Sequence, residues 1–244
     1  MSQGWQEEDL GGHPIRRFPL GISAAALALA WARQEEGPAG ATVVVDREVS
    51  PLGRIGKLWA QAPENSLLCA VVLRPPLAAE EADVVWLIGG VAAADAAASV
   101  SGVDVGTWWP DDVVRADTLE PVATTKAEVQ LGPGRVRSAV VTFRFDLDRL
   151  GLGSDDRDGL LEALLQALDA RADSLGEGGS RAMAAAYEER CLLLGRRVKI
   201  DLLPKGTTRG TAVRMDRLGR LELESSTGMI ERIGLDTLRK LEAV

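Results

Sequence analysis

Histidine is almost missing from this chain: one residue in 244, His13, in a Gly-Gly-His-Pro loop near the start. Chemistries that set a histidine base beside a serine, or several histidines around zinc, therefore have almost nothing to work with. Cysteine is scarce as well. Cys69 and Cys191 lie in apolar contexts, LLCAVV and RCLLL, and read as buried thiols in a reducing compartment rather than as a disulfide or a metal site. No run of eighteen uninterrupted apolar residues occurs, and the chain opens MSQGWQEEDL, acidic where a signal peptide would be basic. A cytoplasmic protein with no membrane span is the expectation. Positive charge is also short, with 28 Lys and Arg against 36 Asp and Glu and a formal charge of −8. Nucleic-acid binding needs clustered cations that release counterions, so no nucleic-acid partner is expected.

What the chain does have is apolar content, 46% of its residues, enough to bury a core and to build a main domain with a small satellite. Residues 1–17 read as a mobile lead-in, and LGISAAALALAWARQ (Leu20 to Gln34) reads as a helix. TVVVD at Thr42 to Asp46 and NSLLCAVVLRP at Asn65 to Pro75 read as buried strands. Between Leu77 and Val100 propensity is divided, and a helix over about Glu80 to Ser99 is predicted. Ala127 to Leu131 and Val136 to Phe145 alternate apolar and polar around a Gly-Pro-Gly turn, the pattern of a hairpin. Asp155 to Ala172 carries a leucine stripe at helical spacing, GEGGS breaks it, and Arg181 to Leu193 reads as a further helix. From Gly195 the texture changes to four short alternating runs with glycine-bearing turns, the spacing of a small, strongly bent barrel.

Two stretches carry candidate chemistry. SPLGRIGKLW, Ser50 to Trp59, follows a strand and interleaves Gly53 and Gly56 with Arg54 and Lys57. Glycine lets backbone N–H groups come close to a ligand, and the two cations favour an anion. The second stretch is TWWPDDVV, Thr107 to Val114.

The order of these blocks resembles a biotin-protein ligase of the short type, without the DNA-binding amino-terminal domain. SPLGRIGKLW resembles that family's GRGRRGRxW loop with Gly53, Arg54, Gly56, Lys57 and Trp59 in register, and TWWPDDVV resembles the region around KWPND. LGRRVKI, RGTAVRMDRLGRLELES and DTLRKLE resemble its carboxy-terminal SH3-like domain. The resemblance implies a mixed α/β fold related to class II aminoacyl-tRNA synthetase cores. It places a catalytic-type domain over residues 18–193 and an SH3-like β-barrel over residues 194–244.

It also implies an activity: biotin, or a related carboxylic acid such as lipoate or octanoate, joined with ATP and Mg2+ to an acyl-adenylate and passed to a lysine of a biotin carboxyl carrier-type domain. Arg54 would meet the phosphate, Gly53, Gly56 and Lys57 would line the same site, and Trp59 would either flank the adenylate or anchor the loop in the core. Trp108, Trp109 and Asp112 would complete the nucleotide side, with Asp112 near the metal. Lys126 is the candidate for the family's catalytic lysine. Arg209, Arg214, Arg217 and Arg220 would face an acidic partner or simply solvent, and pairing through the main-domain sheets would give a homodimer.

The departures are chemical. Pro51 and Leu52 stand at the family's first glycine and arginine, Trp108 and Asp111 at the lysine and asparagine of KWPND, and Arg144 in TFRFD at a glycine of GIGIN. Ser23 alone remains of an early serine-threonine-asparagine motif. These losses leave a second expectation standing, a catalytically degenerate relative that serves as a ligand-binding or protein-interaction module.

Overall fold

The structure, a computed structural model, describes residues 4–51, 53–54 and 59–244, the side chains of residues 176–178 excepted. Strands β1 (Gln6–Leu10) and β2 (His13–Phe18) form a hairpin over Gly11 and Gly12, whose φ values of 62° and 90° lie in the left-handed region that suits glycine. Most of the segment expected to be a mobile lead-in is therefore sheet. Its polar alternation conceals the reason: Arg16 lies 3.9 Å from the Trp31 ring centroid and 4.4 Å from that of Trp5, and pairs with Glu35 at 2.8 Å.

Helix α1 (Ala24–Gln34) starts where the Ser23 side chain accepts the Ala26 N–H at 3.1 Å, an N-cap, four residues later than the composition suggests. Strands β3 (Thr42–Val45) and β4 (Ser66–Leu73) follow, then α2 (Val84–Ser101), β5 (Val105–Trp108), β6 (Asp112–Arg115), β7 (Pro121–Gly132), β8 (Arg135–Asp146), a one-turn helix α3 (Leu147–Leu150) and the long α4 (Arg157–Arg190). The strands make one sheet in the order β1-β2-β3-β4-β8-β7-β6-β5. Only β2 and β3 run parallel. The predicted break in GEGGS survives as a single residue, Gly179, with φ 64° inside α4.

The two faces differ. One carries the main core, where Leu67, Cys69, Val71, Val141, Phe143 and Phe145 meet α2 and α4. Helix α2 lies between the sheet and α4, so it is apolar all round and twelve of its eighteen residues are buried. By length and hydropathy it could cross a membrane, but 67% of it is buried inside this fold. The other face is covered only in part, by α1 over Val43, Val45, Ala70, Val72 and Val140.

Strands β9 (Arg197–Leu202), β10 (Thr207–Met215), β11 (Leu221–Glu224), β12 (Ile230–Ile233) and β13 (Leu238–Ala243) form a second, antiparallel sheet in the order β12-β11-β10-β9-β13. It has five strands where four runs were read, and among the described residues its edge strands do not pair with each other, so the expected SH3-like unit is present as an open antiparallel sheet. Met215 N–H donates to Glu188 of α4 at 2.7 Å, and a Cβ on Gly219 would come within 3.0 Å of the Asp83 backbone. The second sheet is thus seated on the helical layer of the first.

Candidate functional site

Strand pairing builds a polar platform beside α1. Asp112 on β6 pairs with Thr124 on β7, Thr124 with Arg144 on β8, and Arg144 with Leu68 on β4. The next row sets Lys126 opposite Thr142 and Thr142 opposite Ala70. Side chains alternate along a strand, so these residues share the face on which Ala70 meets α1. Where α1 no longer covers it, that face turns from Ala and Val to Asp112, Thr124, Lys126, Thr142 and Arg144. Lys126 is buried and pairs with Glu128.

Over the edge of this platform, Arg54 is clasped from two sides. Its Nε donates to Asp111 Oδ2 at 3.2 Å, and its Nη1 donates to the carbonyl of Leu238 on β13. Trp86 of α2 holds the other carboxylate oxygen, its indole N–H donating to Asp111 Oδ1 at 3.3 Å. The clasp joins the glycine loop, the turn between β5 and β6, and the second sheet. Burial raises the Asp111 carboxyl above the ordinary range despite the opposing charge of Arg54. Asp112 is pushed up to about 6, first by burial and then by the negative charge of Asp111, while the Thr124 hydroxyl opposes the shift by donating to it at 3.1 Å. Of these two adjacent carboxylates only Asp111 has an ion-pair partner among the described residues, which makes the pair receptive to positive charge.

Trp59 anchors the far end of the described loop. Its backbone N–H donates to the Pro51 carbonyl at 3.0 Å, and a Cβ on Gly53 would lie only 2.5 Å from its indole nitrogen, so the close approach requires glycine. Arg144 covers the Trp59 ring, with its guanidinium carbon 4.8 Å from the centroid, and donates through Nη2 to the Ala60 carbonyl at 2.7 Å. Arg196 lies 5.5 Å from the centroid of Trp108.

A groove of about 310 Å³ runs between these groups, lined by Gly53, Arg54, Trp59, Trp108, Asp111, Asp112 and Arg239 among others. Six residues expected from the sequence meet there: Gly53, Arg54, Trp59, Trp108, Trp109 and Asp112. Trp109 is fully buried and belongs to the main core, so it supports the groove from beneath. Gly56 and Lys57 lie outside the described residues. Lys126 stands on the platform rather than in the groove lining. A larger groove of about 520 Å³ opens on the other side of the loop, lined by Glu48, Pro51, Leu68, Arg144 and Arg157 among others.

Asp111, Trp86 and the Leu238 carbonyl were not marked as functional from the sequence. Asp111 was signalled by its place at the asparagine of KWPND, whereas Leu238, 184 residues from Arg54, carries no signal in the sequence. Three arginines of the second sheet, expected to face an acidic partner or solvent, are paired within the chain while their side chains stay solvent-exposed. Arg214 meets Glu222 at 2.5 Å, Arg220 meets Asp216 at 2.6 Å and Arg217 meets Glu81 at 3.9 Å.

No protein-family model matches the chain. The biotin protein ligase from Aquifex aeolicus in complex with biotin and ATP shares the fold, with a TM-score of 0.74 and 19% identity over 94% of this chain and 99% of that one. Among curated relatives, the bifunctional ligase/repressor BirA of Bacillus spizizenii is 22% identical over 245 residues, spanning 93% of this chain and 74% of the relative. The biotin--[acetyl-CoA-carboxylase] ligase of Mycobacterium tuberculosis is 28% identical over 199 residues, spanning 76% and 73%. These likenesses define a ligase-type α/β fold with an appended antiparallel sheet. Within that class the chain is similar to the biotin protein ligases.

Proposed function

We propose that this protein is an ATP-dependent ligase of the biotin-protein-ligase type, acting on biotin or a related carboxylic acid in the cytoplasm. A carboxylate oxygen of the acid attacks the α-phosphorus of ATP and pyrophosphate leaves, giving an acyl-adenylate. A lysine amine of a carrier-protein domain then attacks the acyl carbon, AMP leaves, and an amide remains. The observation that carries this reading is the convergence of Gly53, Arg54, Trp59, Trp108 and Asp112 on one groove, in the two blocks where the chain resembles its relatives.

Both steps ask the protein to hold anions and to stabilise charge developing at phosphorus. Arg54 is the group for this, since a guanidinium offers forked donors to phosphate oxygens. Two of its five N–H donors are engaged, by Asp111 and the Leu238 carbonyl, so a nucleotide phosphate meets the remaining donors beside a resident carboxylate. Trp59 and Trp108 offer flat faces at the groove for a purine. Lys126 adds a buried cation on the platform toward the acyl carboxylate.

Among the described residues no group of three or more His, Cys, Asp or Glu side chains converges to hold a metal alone. Mg2+ commonly uses one or two carboxylates with substrate phosphates, and Asp112, with its carboxyl pushed up to about 6, fits that limited role. A bound Mg2+ would neutralise phosphate charge. Asp112 would hold it and, with it, lose its unfavourable closeness to Asp111.

The second reading, a relative that binds ligand without turnover, is favoured by one observation: Arg54 is already paired with Asp111 and with the Leu238 carbonyl within the fold. Pyrophosphate release from ATP in the presence of the acid separates the readings, and calorimetric titration with a non-hydrolysable biotinyl-adenylate analogue tests the site they share. Both expect binding that weakens by at least about tenfold in Arg54→Ala, the loss of one charge-assisted contact. Equal binding by Arg54→Ala removes Arg54 from the site and leaves the loop a structural part only.

A further inference from the structure

The face of the sheet turned away from the platform holds a further cavity, about 90 Å³, between β4, α2 and α4. Its walls are Val71, Leu73, Ile88, Leu165, Leu168 and Leu175, and all but the half-buried Leu73 are residues of the main core. Protein interiors are packed to crystal density, so a space of this size among six aliphatic side chains is unfilled apolar volume. Water gains little there, because a buried water needs two or more polar partners and these walls offer none. The mouth, by contrast, is polar and built. On one side His13, the chain's one histidine, holds Asp169 of α4, with Nε2 3.0 Å from Oδ2. On the other, Arg74 donates from Nη2 to the Gly37 carbonyl at 2.8 Å, an anchor that engages one of its five N–H donors.

Arg74, Pro75 and Pro76 also form a wall of a neighbouring groove of about 690 Å³, where Arg135 and Arg137 of β8 stand exposed. Among the described residues no acidic side chain lines that groove. Such a concentration of positive charge is out of character for a chain of formal charge −8. We infer that the cavity binds a short-chain amphiphilic anion, its aliphatic tail among Val71, Ile88, Leu165 and Leu168 and its anionic head at Arg74, with Arg135 and Arg137 supplying the surrounding positive field. The volume sets the tail, since 90 Å³ admits a few methylenes and excludes a long acyl chain. Charge sets the head: three arginines stand against one carboxylate at the mouth, Asp169, which His13 already holds. A cation or an alcohol with the same tail would forgo the charge-assisted bonds at Arg74. The cavity is separate from the candidate active groove, because Val71 belongs to the main core while its neighbour Ala70 lies on the platform face. The inference therefore does not depend on the ligase reading.

The test is calorimetric titration of the full chain with ethyl, butyl and hexyl phosphate, and with hexylamine. Each methylene that enters the cavity should tighten binding by about fourfold, so hexyl phosphate should bind at least about tenfold more tightly than ethyl phosphate. Hexylamine should not compete with it. Ala172→Trp sets an indole at the mouth from the exposed side of α4 and should abolish the gain with tail length. Arg74→Gln should weaken all three phosphates by about tenfold while keeping the gain per methylene. Both positions are exposed, and thermal melts establish that the variants are folded. Equal binding of the three phosphates by the wild type, or a length gain that persists in folded Ala172→Trp, overturns the inference. So does binding of hexyl phosphate that falls in Arg54→Ala but not in Arg74→Gln, which would put the probe in the candidate active groove. Neither biotin nor ATP takes part, so failure here leaves the ligase reading untouched, and a protein that releases no pyrophosphate can still show the length series.

Discussion

Asp111 stands where the relatives' motif has asparagine, and the exchange of an amide for a carboxylate gives Arg54 a resident anion at 3.2 Å. Nucleotide phosphate competes with that carboxylate for the same guanidinium. A partly exposed ion pair contributes about 1 kcal/mol, so Asp111→Asn should tighten ATP binding by about fivefold without altering affinity for the acid. Weaker ATP binding in a folded Asp111→Asn would show instead that the carboxylate holds Arg54 in its working position. Asp112 makes a separate prediction. Its folded-state carboxyl titrates at about 6, above the ordinary value, so the folded protein holds its proton more tightly than the unfolded chain. The stabilisation is fully present below about pH 4 and is lost as pH rises through about 6. Asn at this position can still accept from Thr124. Asp112→Asn should therefore gain on the order of 2 kcal/mol over the wild type between pH 4 and pH 8 in urea melts. At this scale the sequence marks Arg54, Trp59 and Asp112, because glycine-loop and tryptophan motifs are local. The Leu238 carbonyl escapes it, because pairing across the fold alone brings it to the site.

Among elements, α2 shows how the scaffold holds the platform. A Cβ on Gly89 would lie 2.7 Å from Val141 Cγ1, so the helix rests on β8 at a distance only glycine permits. Alanine would raise helix propensity by about 1 kcal/mol, but overpacking a core contact costs about 1–3 kcal/mol. Gly89→Ala should thus destabilise by up to about 2 kcal/mol in chemical denaturation, and a stabilised variant would mean that α2 is not seated so closely. Element order was largely legible: β3, β4, the β7–β8 hairpin and the leucine-striped α4 announce themselves by period and turn residues. The β1–β2 hairpin did not, since it is exposed and polar and depends on Arg16 lying against Trp31. The fifth strand of the second sheet was also hidden, its runs being short and divided by glycine.

On the scale of the whole molecule, the second sheet takes part in the candidate site, because the Leu238 carbonyl holds Arg54. Glu222 shows what keeps that sheet in shape. It is 2% exposed and receives Arg214 at 2.5 Å and Arg232 at 3.0 Å. Burial would raise its carboxyl, but the two arginines together hold it below the usual range. This stabilisation is present above about pH 4.3 and is lost as pH falls through the lowered folded value. Since both arginines are largely exposed, Glu222→Gln should cost only about 1–2 kcal/mol at pH 7, with the difference from wild type shrinking in acid. The ligase reading itself stands or falls on one reaction. Pure protein incubated with biotin, ATP and Mg2+ is expected to release pyrophosphate, and Arg54→Ala to lose most of that release. No release from the wild type, with an authentic biotin protein ligase active alongside, would contradict it.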